Sequence, residues 1–437
     1  VAGSEVARLT EHLFREQAGR LVSVLTGIFG IDRLQLAEDV VQEAMVRALR
    51  TWPFRGIPEN PAGWLTQTAK NLALDVIRRE KVFESKQPQI VAWLEQWPNE
   101  SATGESPAFE NELRDGRLRL MFACCHPLLP QEAQSALALK TLCGFGTEEI
   151  AKAFLTTEAA VSKRLTRARQ RIRELAIPFA IPAGEELGRR LESVLQVVYL
   201  LFNEGYKAST GDHLIREDLC REAIRLGTLL AEHPAGNQPQ THALLALMLF
   251  NGARLDERTD AEGNILRLEE QDRAKWDRAL IGRGMFHLHK SAEGNRVSAY
   301  HLQAAIAACH CAATDYNSTD WSRILSLYDR LLEVEPSPVV ALNRAVAVAK
   351  VHGPKAGIKA VEAIRRADHL RSYHLLHAVL GEFERALGHF EIAATHFKQA
   401  LKLTGLTSEQ NFLLHRMRDC EEMSLTSTVP ARQIIAR

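Results

Sequence analysis

The sequence predicts an all-α protein made of several helical domains. Apolar residues recur at three- and four-residue spacing along almost every periodic segment, and no segment sustains the alternation of a half-buried strand. The 437 residues leave room for more than one domain. With 46% hydrophobic and 25% charged residues, the composition is that of an ordinary soluble globular chain. Lys plus Arg and Asp plus Glu both total 54, so no chain-wide cationic field announces a nucleic-acid partner, and any such signal has to be local. Seven cysteines and the lack of a basic-apolar-small leader argue for a reducing cytoplasm over a disulfide framework. The chain starts at Val1 without Met, so an initiator or short N-terminal piece is expected to be missing. The longest apolar run, Val194 to Phe202, is interrupted by Gln196 and closed by Asn203 and Glu204. It is too short to span a bilayer and reads as a core helix, so no membrane partner is expected.

The first region runs to residue 81. Ala37, Val40, Val41, Ala44, Met45 and Ala48 form an apolar stripe, with Asp39, Gln42, Glu43 and Arg47 opposite. Asp39 and Glu43, one turn apart, suit docking of a basic partner surface. Asn60 then Pro61 starts the next helix, a capping side chain followed by a residue that needs no amide hydrogen. Trp64, Leu65, Ala69, Leu72, Ala73 and Val76 mark its buried face, while Gln67, Lys70, Asn71 and Arg78 project from another. Amides and cations in such a stripe suit a single nucleic-acid strand, with Trp52, Phe54 and Trp64 near enough to stack on bases. Against this stands the plainer reading that Trp64 and Phe54 are core.

Residues 82–110 carry Pro88, Pro98, Pro107, Gly104 and five Glu against one Lys, which predicts an extended acidic linker. In the third region, 111–176, Thr147 reads as a cap, with Glu148 and Glu149 in the first helical turn after it. Ile150, Ala151 and Phe154 give that helix an apolar face, Leu155 to Thr157 make a turn, and Ala160, Val161, Leu165 and Ala168 are the buried stripe of a second helix. From Ser162 to Arg173 this second helix carries Lys163, Arg164, Arg167, Arg169, Arg171 and Arg173 and no acid. A helix-turn-helix with a cationic second helix is a groove-binding unit. Glu158, Ala159, Ser162 and Lys163 near its start are the base readers, Arg167, Arg169 and Arg171 the phosphate clamps, and Arg164 and Arg173 fit a structural or solvent-facing role.

After Pro178 and Pro182 a helical region continues to the end, read as 177–290 and 291–437. Leu380, Gly381, Gly388, Phe390, Ala393, Phe397 and Ala400 sit at the small and large positions of an interlocking helix-turn-helix repeat of about 34 residues. Ile324, Tyr328, Leu331 and Pro336 match in a second copy, with Gly353 near the turn of a degraded unit between. The pattern loosely resembles tetratricopeptide repeats. A generic helical bundle is the alternative.

The run LAEDVVQEAMVRAL, then NPAGWLTQTAKNLALDVIRRE, then an acidic linker, then a helix-turn-helix ending in VSKRLTRARQRIRE, resembles the bacterial extracytoplasmic-function sigma factors over about residues 5 to 176. The resemblance implies that the helix of Asp39, Gln42 and Glu43 grips the β′ subunit of core RNA polymerase, whose β and β′ subunits are the implied partners. It implies that Trp64, Gln67, Lys70, Asn71, Arg78 and Arg79 open and hold the non-template strand of the −10 promoter element. Glu158, Ala159, Ser162, Lys163, Arg164, Arg167, Arg169 and Arg171 would then meet the −35 element, and the linker would thread towards the polymerase cleft. A subgroup of the family carries a long tetratricopeptide-like extension thought to act in cis, which implies a regulatory or supporting role and a protein or peptide partner for the C-terminal repeats.

Other constellations are weaker. Cys124, Cys125 and His126, and Cys309, His310 and Cys311, are neighbours that point apart on a helix, and no second pair stands at zinc spacing. Asp260, Glu262, Gly263 and Glu269 match positions of a calcium loop whose first position is Arg258, a cation. His287 and His289 lack the HExxH spacing. No cofactor, metal or enzymatic activity is expected. A helix-turn-helix regulator with a sensory repeat domain is the alternative function, and it leaves the Asn60-Pro61-Trp64 helix without a job.

Overall fold

The computed structural model describes residues 17–79, 107–154, 156–207, 215–260, 263–364 and 373–427. Among them helices dominate and no strand occurs, the one β-type pairing being an isolated bridge from Thr259 to Ile265. The all-α expectation holds. The chain divides into two compact units, Val1–Leu201 with Glu232–Gly236, and Phe202–Ala231 with Asn237–Arg437. No described helix is long and apolar enough to cross a membrane.

The first unit starts with α1 (residues 17–29), a 3₁₀ turn at Ile31–Arg33, α2 (Leu34–Arg55) and α3 (Pro61–Arg79). Ala37, Val40, Val41, Ala44 and Ala48 are buried on α2 as their spacing demands, and Gly56 ends the helix at φ 81°. At the start of α3 the Asn60 Oδ1 accepts from the Gly63 amide at 2.9 Å, and Leu65, Ala69, Ala73 and Ile77 make the buried face. Trp52 meets Trp64 edge-on at 5.6 Å between ring centroids, holding α2 to α3. Next come α4 (Pro107–Cys124), α5 (Gln131–Leu137) continued by a π-turn at Ala138–Leu142, α6 (Thr147–Ala153), α7 (Glu158–Glu174) and most of α8 (Glu185–Tyr206), up to Leu201. Helix α4 begins inside the predicted linker, Pro107 taking the first helical position where a missing amide hydrogen costs nothing. The rest of that linker, with its acidic character, lies outside the described residues.

Thr147 is not the cap of α6. Gly146 takes that place, its amide donating to Glu149 Oε2 at 2.7 Å, while the Thr147 hydroxyl donates to Glu158 Oε1 at 2.6 Å and so ties α6 to the first turn of α7. Thr157 caps α7 by accepting from the Ala160 amide, and Val161, Leu165, Ala168 and Ile172 are buried at a spacing of four, three and four. On α8, buried Arg190 donates to the Phe122 carbonyl at 2.8 Å, so the start of the extension is built into the first unit's core. Cys124 and Cys125 are fully buried, and burial pushes the Cys125 thiol up to about 12.

The second unit holds the end of α8, α9 (Glu217–Glu232), α10 (Pro239–Gly252), α11 (Arg278–Ser291), α12 (Ala299–Ala312), α13 (Trp321–Val334), α14 (Pro338–His352), α15 (Pro354–Glu362), α16 (His374–Ala386), α17 (Phe390–Leu403) and α18 (Thr407–Ser427). From α12 on, the apolar clusters form in sequence order, around Ile324 and Leu331, then Leu342 and Phe383, then Ala393 and Phe397. At Gly381 a Cβ would stand 2.8 Å from the Phe397 ring, which is why the smallest residue faces the largest at this crossing. In the loop once compared with a calcium site, Asp260 accepts from the amide and side chain of Asn264, and Glu262 lies outside the described residues.

Candidate nucleic-acid interface

Two faces of the first unit carry the predicted contacts. On α3, Gln67 and Asn71 are exposed and bonded to each other at 3.0 Å, one turn apart, and Arg78 and Arg79 are exposed at the helix end. Trp64 is half-buried against Trp52. Lys70 departs from the expectation that it projects with this stripe. It is buried, because it follows Ala69 on the side of the helix that turns into the core. The exposed aromatic is Phe54, at 89% exposure near the end of α2, so the core reading fails for this ring. Its position beside Pro53, where the helix is about to stop, was the available signal. On the outer side of α2, Asp39 accepts from Gln35 and Glu43 pairs with Arg47 at 3.0 Å, with Gln42 exposed between them.

On α7, Glu158, Ala159, Ser162, Lys163, Arg167, Arg171 and Arg173 are exposed. Arg164 leans back to Glu132 of α5 at 2.6 Å. Lys163, Arg167 and Arg171 line an open groove whose other wall is the turn from Pro127 to Pro130. Arg169 is not on this open face. It donates to Glu38 of α2, with the two side chains 12% and 7% exposed, and Thr141 donates to the other Glu38 oxygen at 2.6 Å. The helical step places residue 169 about 200° from 167, so the cation that follows Arg167 by two positions faces inward. Glu38 had no distinguishing mark in the sequence, being one acid among several on α2.

The rest of the contact between these two helical modules is equally close. A Cβ on Gly19 of α1 would stand 2.2 Å from the Leu142 carbonyl oxygen, so the two backbones touch where only glycine fits. The turn at Ile31–Arg33 also packs on α7.

Comparison with known proteins matches residues 13–82 to the sigma-70 region 2 family, residues 119–172 to the sigma-70 region 4 family, and residues 190–292 to a family of unknown function, DUF6596. An uncharacterized protein of Rhizobium meliloti is 40% identical over 382 residues, 87% of this chain and 89% of that protein. The probable RNA polymerase sigma factor RfaY of Xanthomonas campestris is 29% identical over 31% of this chain and 33% of its own length. The ECF RNA polymerase sigma factor SigE of Mycolicibacterium smegmatis is 28% identical over 38% of this chain and 60% of its own length. No solved structure matches. The two sigma-70 modules in order, the exposed cationic α7 and the relatives together place the chain among the extracytoplasmic-function-like sigma factors, as a member with a long helical C-terminal extension.

Proposed function

We propose that the chain binds core RNA polymerase through the Asp39, Gln42 and Glu43 face of α2, reads the −35 element with the start of α7, and captures the non-template strand of the −10 element along α3. The observation that carries this reading is a helix-turn-helix whose exposed face holds Lys163, Arg167 and Arg171, on the same chain as an α3 that exposes Gln67, Asn71, Arg78 and Arg79. Opening duplex costs about 1.4 kcal/mol per stacked step, and exposed amides and the Phe54 ring are groups that recapture unstacked bases. Arg169 acts here as a tether between modules.

The contact between α2 and α7 bears on regulation. Promoter elements about 25 base pairs apart are separated by about 85 Å of B-form duplex, so two modules joined by a direct side-chain ion pair cannot occupy both. The arrangement with Arg169 on Glu38 is therefore a resting one, and promoter engagement breaks it. The extension, tetratricopeptide-like in its small-against-large packing, is proposed to set that equilibrium in cis, through the covalent continuity of α8, whose early part packs within the first unit by way of Arg190. Run-off transcription with purified core polymerase tests the main reading: a defined start site is expected with this chain alone, and silence without another sigma factor sinks it. Trimming the chain after α8 tests the cis role, which unchanged initiation would refute.

A further inference from the structure

The extension contains a group of nitrogen donors that its own fold leaves unanswered. Arg254 follows α10, Arg273 opens the 3₁₀ turn Arg273–Lys275, Trp276 ends that turn, and His310 lies near the end of α12. Arg273 and Trp276 are buried, at 4% and 2% exposure. The guanidinium carbons of Arg254 and Arg273 stand 5.5 and 5.2 Å from the centre of the Trp276 indole ring. Arg273 is locked in place by donating to the carbonyls of His310 and Ala313 and to the Thr319 hydroxyl, so its geometry does not depend on a ligand. Arg254 Nε, Arg273 Nε, Trp276 Nε1 and His310 Nδ1 are all shielded from solvent and have no hydrogen-bond partner.

A desolvated polar nitrogen without an acceptor is costly, and native proteins rarely gather several in one place without a water or ion to accept from them. The charge is unbalanced as well. Arg273 feels the Asp315 carboxylate only through a weaker, longer-range attraction than the repulsion from Arg254, and Arg278 beside them donates to the Arg273 carbonyl. Burial first, and then the neighbouring Arg254 charge, pushes the Arg273 guanidinium down from its ordinary value, and the same causes hold His310 neutral to about pH 3. An oxyanion relieves both problems at once, because it accepts from several donors and cancels the repulsion between the two guanidinium groups.

We propose that Arg254, Arg273, Trp276 and His310 form a binding site for a small oxyanion, a phosphate-type or carboxylate group, within the extension. Arg254 is the entry side, being partly open to solvent, whereas Arg273 and Trp276 form the floor. The site lies far in sequence from the basic residues of α7 and needs nothing from them.

The test is thermal unfolding and tryptophan fluorescence of the full chain, titrated with inorganic phosphate, sulfate and acetate against chloride at matched ionic strength. Saturable stabilisation by at least one of the oxyanions is expected, weakened 10-fold or more in Arg254→Gln. That variant removes a side chain without a protein hydrogen-bond partner, so its fold is retained. Trp276→Phe keeps an aromatic ring under the guanidinium groups and loses the donor, and is expected to weaken binding about 5-fold. Preference for phosphate and sulfate over acetate assigns a phosphate-type ligand, and the reverse a carboxylate. Responses no different from chloride, or wild-type affinity in Arg254→Gln, would overturn the site.

Discussion

Arg169 of α7 and Glu38 of α2 form a nearly buried ion pair across 131 residues of sequence, with Thr141 bonded to the second carboxylate oxygen. A cation on a cationic helix is thereby taken off its open face and used to hold two modules together. Removing one partner strands the other charge in a desolvated place. Glu38→Ala and Arg169→Ala are each expected to destabilise the first unit by about 3 kcal/mol, the double change by much less than the sum. Urea unfolding of the four proteins measures the coupling, and additive losses would show that the pair contributes little.

With Arg169 turned away from the open face, Arg167 and Arg171 remain as the proposed phosphate clamps. Two contacts give a slope of roughly −1.8 for log affinity against log salt. Fluorescence anisotropy of a −35 duplex with the polymerase-bound chain should return this value. Arg167→Ala should flatten it by about 0.9, whereas Arg169→Ala should leave it nearly unchanged.

Phe54, almost wholly exposed, has little folded-state packing to lose. Phe54→Ala should keep the unfolding midpoint and weaken capture of an opened strand by about 1 to 3 kcal/mol, the usual worth of one stacked base. A fluorescent adenine analogue in the −10 element reports the opening, and a normal signal from the variant would remove Phe54 from the site.

Glu409 at the third residue of α18 ties three elements of the second unit. Lys207 approaches one oxygen at 2.9 Å, His374 the other at 3.0 Å, and Thr404 also donates to it. Burial alone would raise this carboxyl, but His374, Lys207 and Thr404 more than offset it and draw the value from 4.5 down to about 2. A folded value below the unfolded one stabilises the fold above pH 4.5, and that stability is lost as the pH falls towards 2. The contribution is about 3 kcal/mol at neutral pH. Glu409→Gln should lose it at pH 7 and show a flatter stability profile between pH 4.5 and 2, as followed by denaturant titration at each pH.

Much of the fold is legible in the sequence because it is written in local terms. The Asn60-Pro61 start, the burial of Leu65, Ala69 and Ala73, the stripe of Val161, Leu165 and Ala168, and the Gly381-Phe397 crossing all follow from helical periodicity and side-chain size. So does the exposure of Lys163, Arg167 and Arg171. The cap of α6 was displaced by one residue, since Thr147 and Gly146 both suit that place and only the reach of Glu158 to the Thr147 hydroxyl separates them.

The sequence by itself determined an all-α chain with a cationic helix-turn-helix, an amide-bearing helix upstream of it and a helical extension, since spacing and charge along one helix carry that information. The tertiary structure alone decided that Lys70 turns inward, that Phe54 turns outward, and that Arg169 meets Glu38. It also gathered Arg254, Arg273, Trp276 and His310. These placements depend on which distant helix covers a given face, and a buried charge chooses its partner through space, where desolvation makes an unpaired ion costly.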